Sequence, residues 1–137
     1  VIRGAALPAL ALATACAAPP PPGETACPAS FARRAVITGY FGRTSGGALR
    51  VTDAEWTRYL EAELLPRFPA GSTTTDATGT WRGALRPDPT KVVTLVVPPE
   101  TETRSLAALQ AAAEAYKRDF AQQSVGITLT QACAAGF

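Results

Sequence analysis

Three arginines stand where predicted elements end or begin: Arg43 after the first strand, Arg67 after the first helix, and Arg82 beside Trp81. A guanidinium fork grips a carboxylate or phosphate at two points, and an indole beside it can stack a ligand ring. If these loops converge near Tyr40, they form a mouth for a small anionic ligand. The competing use is internal: ion pairs with Asp53, Glu55, Asp76 and Asp88 that hold the loops. Asp53 and Glu55 lie two residues apart at a helix start, where capping explains both without an acid and base pair. Tyr40 could offer a catalytic hydroxyl on an open sheet face, although packing also accounts for it.

Composition narrows the chemistry. The 137 residues contain no histidine, which removes the commonest general base, haem ligand and zinc ligand. No cofactor or metal is expected. No nucleophile stands with a base, which counts against hydrolysis. Thirteen basic and eleven acidic residues are mixed along the chain for a net charge of +2, so no basic stripe suits a nucleic acid. The length suits one domain with a real core.

The first residues read as an address. The chain opens on Val1 and holds no methionine, as a valine-coded start read literally would give, so residue 1 is expected to begin a bacterial gene. One early charge, Arg3, precedes an apolar run to Ala15, shorter than the roughly 20 residues needed to span a bilayer. Residues 1–15 are expected to be a signal peptide. Leu12-Ala13-Thr14-Ala15-Cys16 resembles a lipobox, so Cys16 is the expected lipidation site. Ordinary secretion with cleavage elsewhere and an uncleaved segment are the alternatives. Residues 16–32, with four consecutive prolines, read as an extended tether. The predicted location is the bacterial cell envelope, facing the periplasm, with the membrane contacted through the lipid alone. That leaves Cys27 and Cys133, an even pair that favours a disulfide in an exported protein over two unrelated thiols.

The elements that must position these groups occupy residues 33–133. Lys91 to Val97, four valines in seven residues closed by Pro98-Pro99, predicts a strand buried on both faces. Residues 33–41 predict the first strand, followed by a glycine-rich loop that lacks the Lys-Ser/Thr pair completing a phosphate loop. Thr52 and Glu55 form a capping box flanked by Val51 and Trp56, and Pro66 ends the helix near Leu64. Trp56, Tyr59, Leu60 and Leu64 make its apolar stripe. Residues 72–75 predict an edge strand, residues 76–79 a turn, and residues 83–90 a proline-rich connection. Thr103 or Ser105 should cap a second helix whose stripe runs Leu106, Leu109, Ala113, Tyr116, Phe120. From Val125 to Thr130 the pattern alternates as a last strand.

The order β-α-β-β-α-β predicts an α+β, ferredoxin-like sandwich with both helices on one face of an antiparallel sheet. In that arrangement the first and last strands are antiparallel neighbours. Cys27, shortly before one, and Cys133, just past the other, would then meet. Both central strands are apolar on both faces, Val92 and Val96 against Val93, Leu95 and Val97, and Val36 and Tyr40 against Ile37 and Phe41, so the apolar face left without helices calls for cover. A homodimer packed sheet to sheet is expected there; a pocket or covering loops are the alternatives.

Several blocks carry a family likeness: Tyr40-Phe41-Gly42-Arg43, Val51-Thr52-Asp53-Ala54-Glu55-Trp56, Pro66-Arg67-Phe68-Pro69-Ala70-Gly71, Gly79-Thr80-Trp81-Arg82, Tyr116-Lys117 and Phe120-Ala121-Gln122-Gln123-Ser124-Val125. Together they resemble the bacterial family of domain of unknown function 3574, over roughly residues 33 to 132. The resemblance implies an exported or lipoprotein-like setting and no particular activity. Ala70, Thr80 and Asp88 depart mildly from the family's usual residues.

The leading expectation is therefore a lipid-anchored, non-enzymatic dimeric module that binds a partner or small anionic ligand. Its rival is a small cofactor-independent isomerase or monooxygenase of the dimeric α+β barrel kind, an inference from fold analogy. A cavity lined by Tyr40, Thr94 and an arginine would favour the rival.

Overall fold

A computed structural model describes residues 26–46, 48–80 and 87–137. The expected signal peptide and most of the tether, with Cys16, lie outside the described residues, as do Trp81 and Arg82.

Six strands and two helices follow one another: β1 (Ala32–Gly42), β2 (Thr44–Ser45), β3 (Ala48–Leu49), α1 (Asp53–Tyr59), β4 (Thr73–Gly79), β5 (Asp88–Val97), α2 (Glu102–Phe120) and β6 (Gly126–Ala134). Four of the strands form one antiparallel sheet in the order β4-β5-β1-β6. The predicted central strand pairs on both sides, Ile37 facing Leu95 on one side and Thr75 facing Val92 on the other.

Period two decides which side chains meet the helices. Ile37 and Phe41 of β1 and Val93 and Leu95 of β5 are fully buried. They pack with Trp56 and Tyr59 of α1 and Leu109, Ala112 and Tyr116 of α2. Val36, Val92 and Val96, on the opposite face, are only half-buried, and Tyr40 is 42% exposed. β5 is thus fully covered on one face, not two. Threonines interleave with those valines: Thr38 faces Thr94 and Thr128, and Thr130 faces Val36. Their hydroxyls let this face meet water.

α1 begins as the sequence dictates. The Thr52 hydroxyl accepts from the Glu55 amide at 3.3 Å, and the Glu55 carboxylate accepts from the Thr52 amide at 2.8 Å. The Thr52 hydroxyl, which donates to Glu55 Oε2 at 2.7 Å, and the Thr52 amide both favour the charged carboxylate and hold Glu55 below the usual carboxylate range. The predicted end near Leu64 is reached by a change of winding. Leu60–Leu64 form a π-helical turn, closed by Leu65 N donating to Leu60 O at 2.9 Å. Pro66, which has no N–H and cannot continue a helix, follows at once.

Other boundaries differ from prediction. The glycine-rich loop contains a ribbon, Thr44 facing Leu49 and Ser45 facing Ala48. β4 does not turn at Asp76 but runs to Gly79, and β5 starts at Asp88 inside the proline-rich connection. Pro89 is tolerated near the start of a strand, and its carbonyl accepts from Arg43 N at 2.9 Å. α2 starts at Glu102, before either predicted cap, because Pro99–Thr101 already wind as a 3₁₀ turn with proline at the first position. β6 runs on to Ala134, so Cys133 lies within the strand opposite Arg33. Cys27 and Cys133 are joined by a disulfide, with Cα atoms 5.5 Å apart.

Five rings fill the space between helices and sheet. Phe41 stands edge-on to Trp56 and to Tyr116, at centroid distances of 5.6 and 5.0 Å. Gly39 makes this possible: a Cβ there would come within 2.8 Å of Phe41 Cε2. Two phenols in the cluster keep their polar tips satisfied. Tyr59 donates to Ala112 O and Tyr116 to Gly42 O, both at 2.9 Å. Burial pushes both hydroxyls well above the ordinary tyrosine range, so they remain donors.

Candidate functional site

A cavity of about 660 Å³ opens on the helix-free face at the Gly42 end of β1. That volume lies in the range of small-molecule sites. Its floor follows from strand register and from side chains that are missing. Gly42 faces Thr90, Gly79 faces Asp88, and Gly126 faces Tyr40. Three of the four strands thus place a glycine at this end of the open face. The fourth, β5, supplies Asp88, Thr90 and Val92. The wall is completed by the β2 ribbon and by Gln122, Gln123 and Ser124 between α2 and β6.

Each wall is tied down. Thr44 donates its hydroxyl to Asp88 Oδ1 at 2.7 Å, and Thr90 Oγ1 donates to Asp88 O at 3.1 Å. Ser45 Oγ donates to Ala121 O at 3.4 Å, joining the ribbon to the end of α2. There the chain turns through a left-handed Ala121, φ 52°, which swings Gln122 toward the cavity. Tyr116 anchors the floor from below through Gly42 O.

The site residues predicted from sequence do not all gather here. Tyr40 lines the cavity; Thr94 does not, and no arginine does among the described residues. Arg43 is nearly buried on the helix side, where Nε donates to Val51 O at 2.8 Å and Nη2 pairs with Asp53 at 2.9 Å. Lys91 extends that pairing, bonding Asp76 at 2.5 Å and lying 3.8 Å from Asp53. Arg67 turns back on its own helix end, with Nη1 on Glu63 O and on the Glu63 carboxylate, both at 2.6 Å. Of the arginine pairs weighed as the competing use, Arg43–Asp53 is present, whereas Arg67 takes Glu63, which was not among the expected partners. Asp88, expected to partner an arginine, instead faces the cavity. The residues missed from sequence are Asp88, Gln122 and the three glycines. The signal was Gly42, Gly79 and Gly126 themselves, of which the first two read as a loop and a turn and the third as one position of the last strand.

The described lining contains hydroxyls, amides and one charge, the Asp88 carboxylate. Such a wall can bind by hydrogen bonding and can offer a carboxylate as a base. Among the described residues no group of three or more potential metal ligands comes together.

Comparison with known proteins adds a family and a fold. A family model described as "Protein of unknown function (DUF3574)" matches residues 38–136. No curated protein matches. Among solved structures, a phage SAM lyase in its apo state is 14% identical with a TM-score of 0.53, covering 77% of this chain and 93% of that one. A phage SAM lyase in complex with S-methyl-5'-thioadenosine is 11% identical with a TM-score of 0.46, covering 76% and 92%. At 14% identity the likeness to the apo structure is one of α+β fold.

Proposed function

Since the chain belongs to the DUF3574 family, whose name specifies no ligand, we propose from the cavity itself a non-enzymatic small-ligand-binding module, exported to the cell envelope and anchored by lipid on Cys16. One observation carries the binding role. Three strands put glycine at the same end of the same sheet face, and the space this leaves is bordered by fixed polar groups. A sheet end with no role has no need of so many absent side chains, each of which weakens a strand. The fold is read as ferredoxin-like, supported by the strand order and by a helical crossover in each half.

A native mass spectrum of the protein, exported and gently purified, tests the binding role. The expected result is added mass that disappears in Gly79→Val. A Cβ on Gly79 would meet Thr90 Oγ1 at 3.8 Å, ordinary contact, so a side chain can enter the floor there. Wild-type protein carrying no extra mass would count against a resident ligand, and mass that survives the substitution would place it elsewhere. The anchor is tested separately. In a bacterium that lipidates exported proteins, the chain should fractionate with membranes, and Cys16→Ser should move it to the soluble fraction. An unchanged distribution would sink the anchor.

The enzymatic reading is favoured by one observation: Asp88 and Tyr40 line the same cavity, a carboxylate and a phenol that could serve as base and acid for a proton transfer without cofactor. A released ligand returned to the protein is consumed under that reading and recovered intact under the first.

A further inference from the structure

We infer that the cavity selects ligands presenting a protonated amine, held between Asp88 and Gln122 above Gly42, with a flat ring against Tyr40. The inference rests on the cavity being the ligand site. Two acceptor oxygens face the same small space. A Cβ built on Gly42 would stand 3.2 Å from Asp88 Oδ2 and 3.8 Å from Gln122 Oε1. Neither oxygen is turned there by chance. Asp88 Oδ1 takes the Thr44 hydroxyl, which orients the carboxylate and leaves Oδ2 over the glycine. Gln122 Nε2 donates to Phe120 O at 3.4 Å, which leaves Oε1 facing the cavity.

An ammonium group offers three donors and a positive charge to this pair. A carboxylate or phosphate would bring acceptors to acceptors, and the described lining holds no cation to receive it. The expected anionic ligand is therefore not what these groups suit. Arg43, expected to receive it, is spent on Val51 and Asp53. The ring slot is built beside the amine site. Gly126 lies under Tyr40, where a Cβ would be 3.5 Å from Tyr40 Cδ2, and Val92 is the residue facing Tyr40 on β5. An arylalkylamine satisfies both halves.

Three probes that share an indole ring separate the head group from the ring: tryptamine, tryptophol and indole-3-acetate. Binding is followed by amide shifts in the ¹⁵N-labelled protein. Tryptamine should bind about ten-fold tighter than tryptophol, the gain of a charge-assisted hydrogen bond, and indole-3-acetate should bind weakest. Asp88→Asn keeps an acceptor for Thr44 but removes the charge. It should remove the preference for tryptamine over tryptophol. Gly42→Ala puts a methyl group in the head-group position and should weaken tryptamine and tryptophol together. Equal affinities, a preference for indole-3-acetate, or an unaltered ranking in Asp88→Asn would overturn the inference while leaving the cavity as a binding site. Failure of all three probes to shift cavity residues would overturn both.

Discussion

Removing the Cys27–Cys133 bridge is expected to lower the stability of the fold by about 4–5 kcal/mol, the chain-entropy value for a closed loop of this size. The bridged residues are 106 apart in sequence, so nearly the whole domain lies inside the loop. A domain of this length is typically stable by only about 5–15 kcal/mol, so the bridge accounts for a large share. The native side of the argument agrees in direction. Cys133 sits in β6, an edge strand held on one side only, opposite Arg33 near the start of β1. Without the bridge, the segment before Ala32 and the last turns of β6 lose their mutual anchor. Urea unfolding with and without dithiothreitol measures the effect, and a Cys27→Ser, Cys133→Ser double variant controls for the reductant. A loss below about 1 kcal/mol would mean that β1–β6 pairing alone restrains the ends.

Phe41→Ala should cost about 3–5 kcal/mol, the range for deleting a fully buried phenyl group. Phe41 is wholly inaccessible and touches three other rings. Trp56 and Tyr59 belong to α1 and Tyr116 to α2, so Phe41 is the wedge where both helices meet the sheet. Relaxation into the hole is limited, because Tyr59 and Tyr116 are fixed by hydrogen bonds to Ala112 O and Gly42 O. Chemical denaturation gives the number. A loss under about 1 kcal/mol would show that the helices can close over the space. The neighbouring Tyr40 supplies the contrast. It points to the other face and is 42% exposed, so changes there should act on ligand binding far more than on folding.

Much of the fold was legible in sequence because its signals are local. The capping box at Thr52 and Glu55, the helical spacing from Leu106 to Phe120 and the valine run of β5 each need only a few neighbouring residues to be read. The disulfide was legible because cysteine count and strand order point to the same pair. Strand ends were less so: Thr78 and Gly79 read as a turn, and Asp88-Pro89 as a connection. What makes them strand is pairing with each other across the register of β4 and β5.

The cavity was hidden for a deeper reason. Its floor is defined by absent side chains on strands far apart in sequence, at Gly42, Gly79 and Gly126, and only the register brings them to one end of one face. Asp88 illustrates the same limit. As one of four acids near three arginines it looked like a counter-ion, whereas its hydroxyl partner, Thr44, lies 44 residues away. For Arg43 and Arg67 the residue type alone could not choose between a ligand and an ion pair. Their partners Asp53 and Glu63 stand within about ten residues, and proximity decided.

The disulfide and the cavity lie at opposite ends of β1, an 11-residue strand that spans roughly 33 Å at the usual rise. A mechanical pull on the chain ahead of Cys27 enters the fold at the bridge, which divides the load between β1 and β6. β1 is a central strand, paired with β5 on its other side, so the force runs along the ladders and stretches many hydrogen bonds together. Peeling them one by one would take far less force. The glycine-floored end carries none of that tension directly. A protein held at its leading end in a flowing or crowded compartment would keep the geometry of its cavity while the bridge takes the strain.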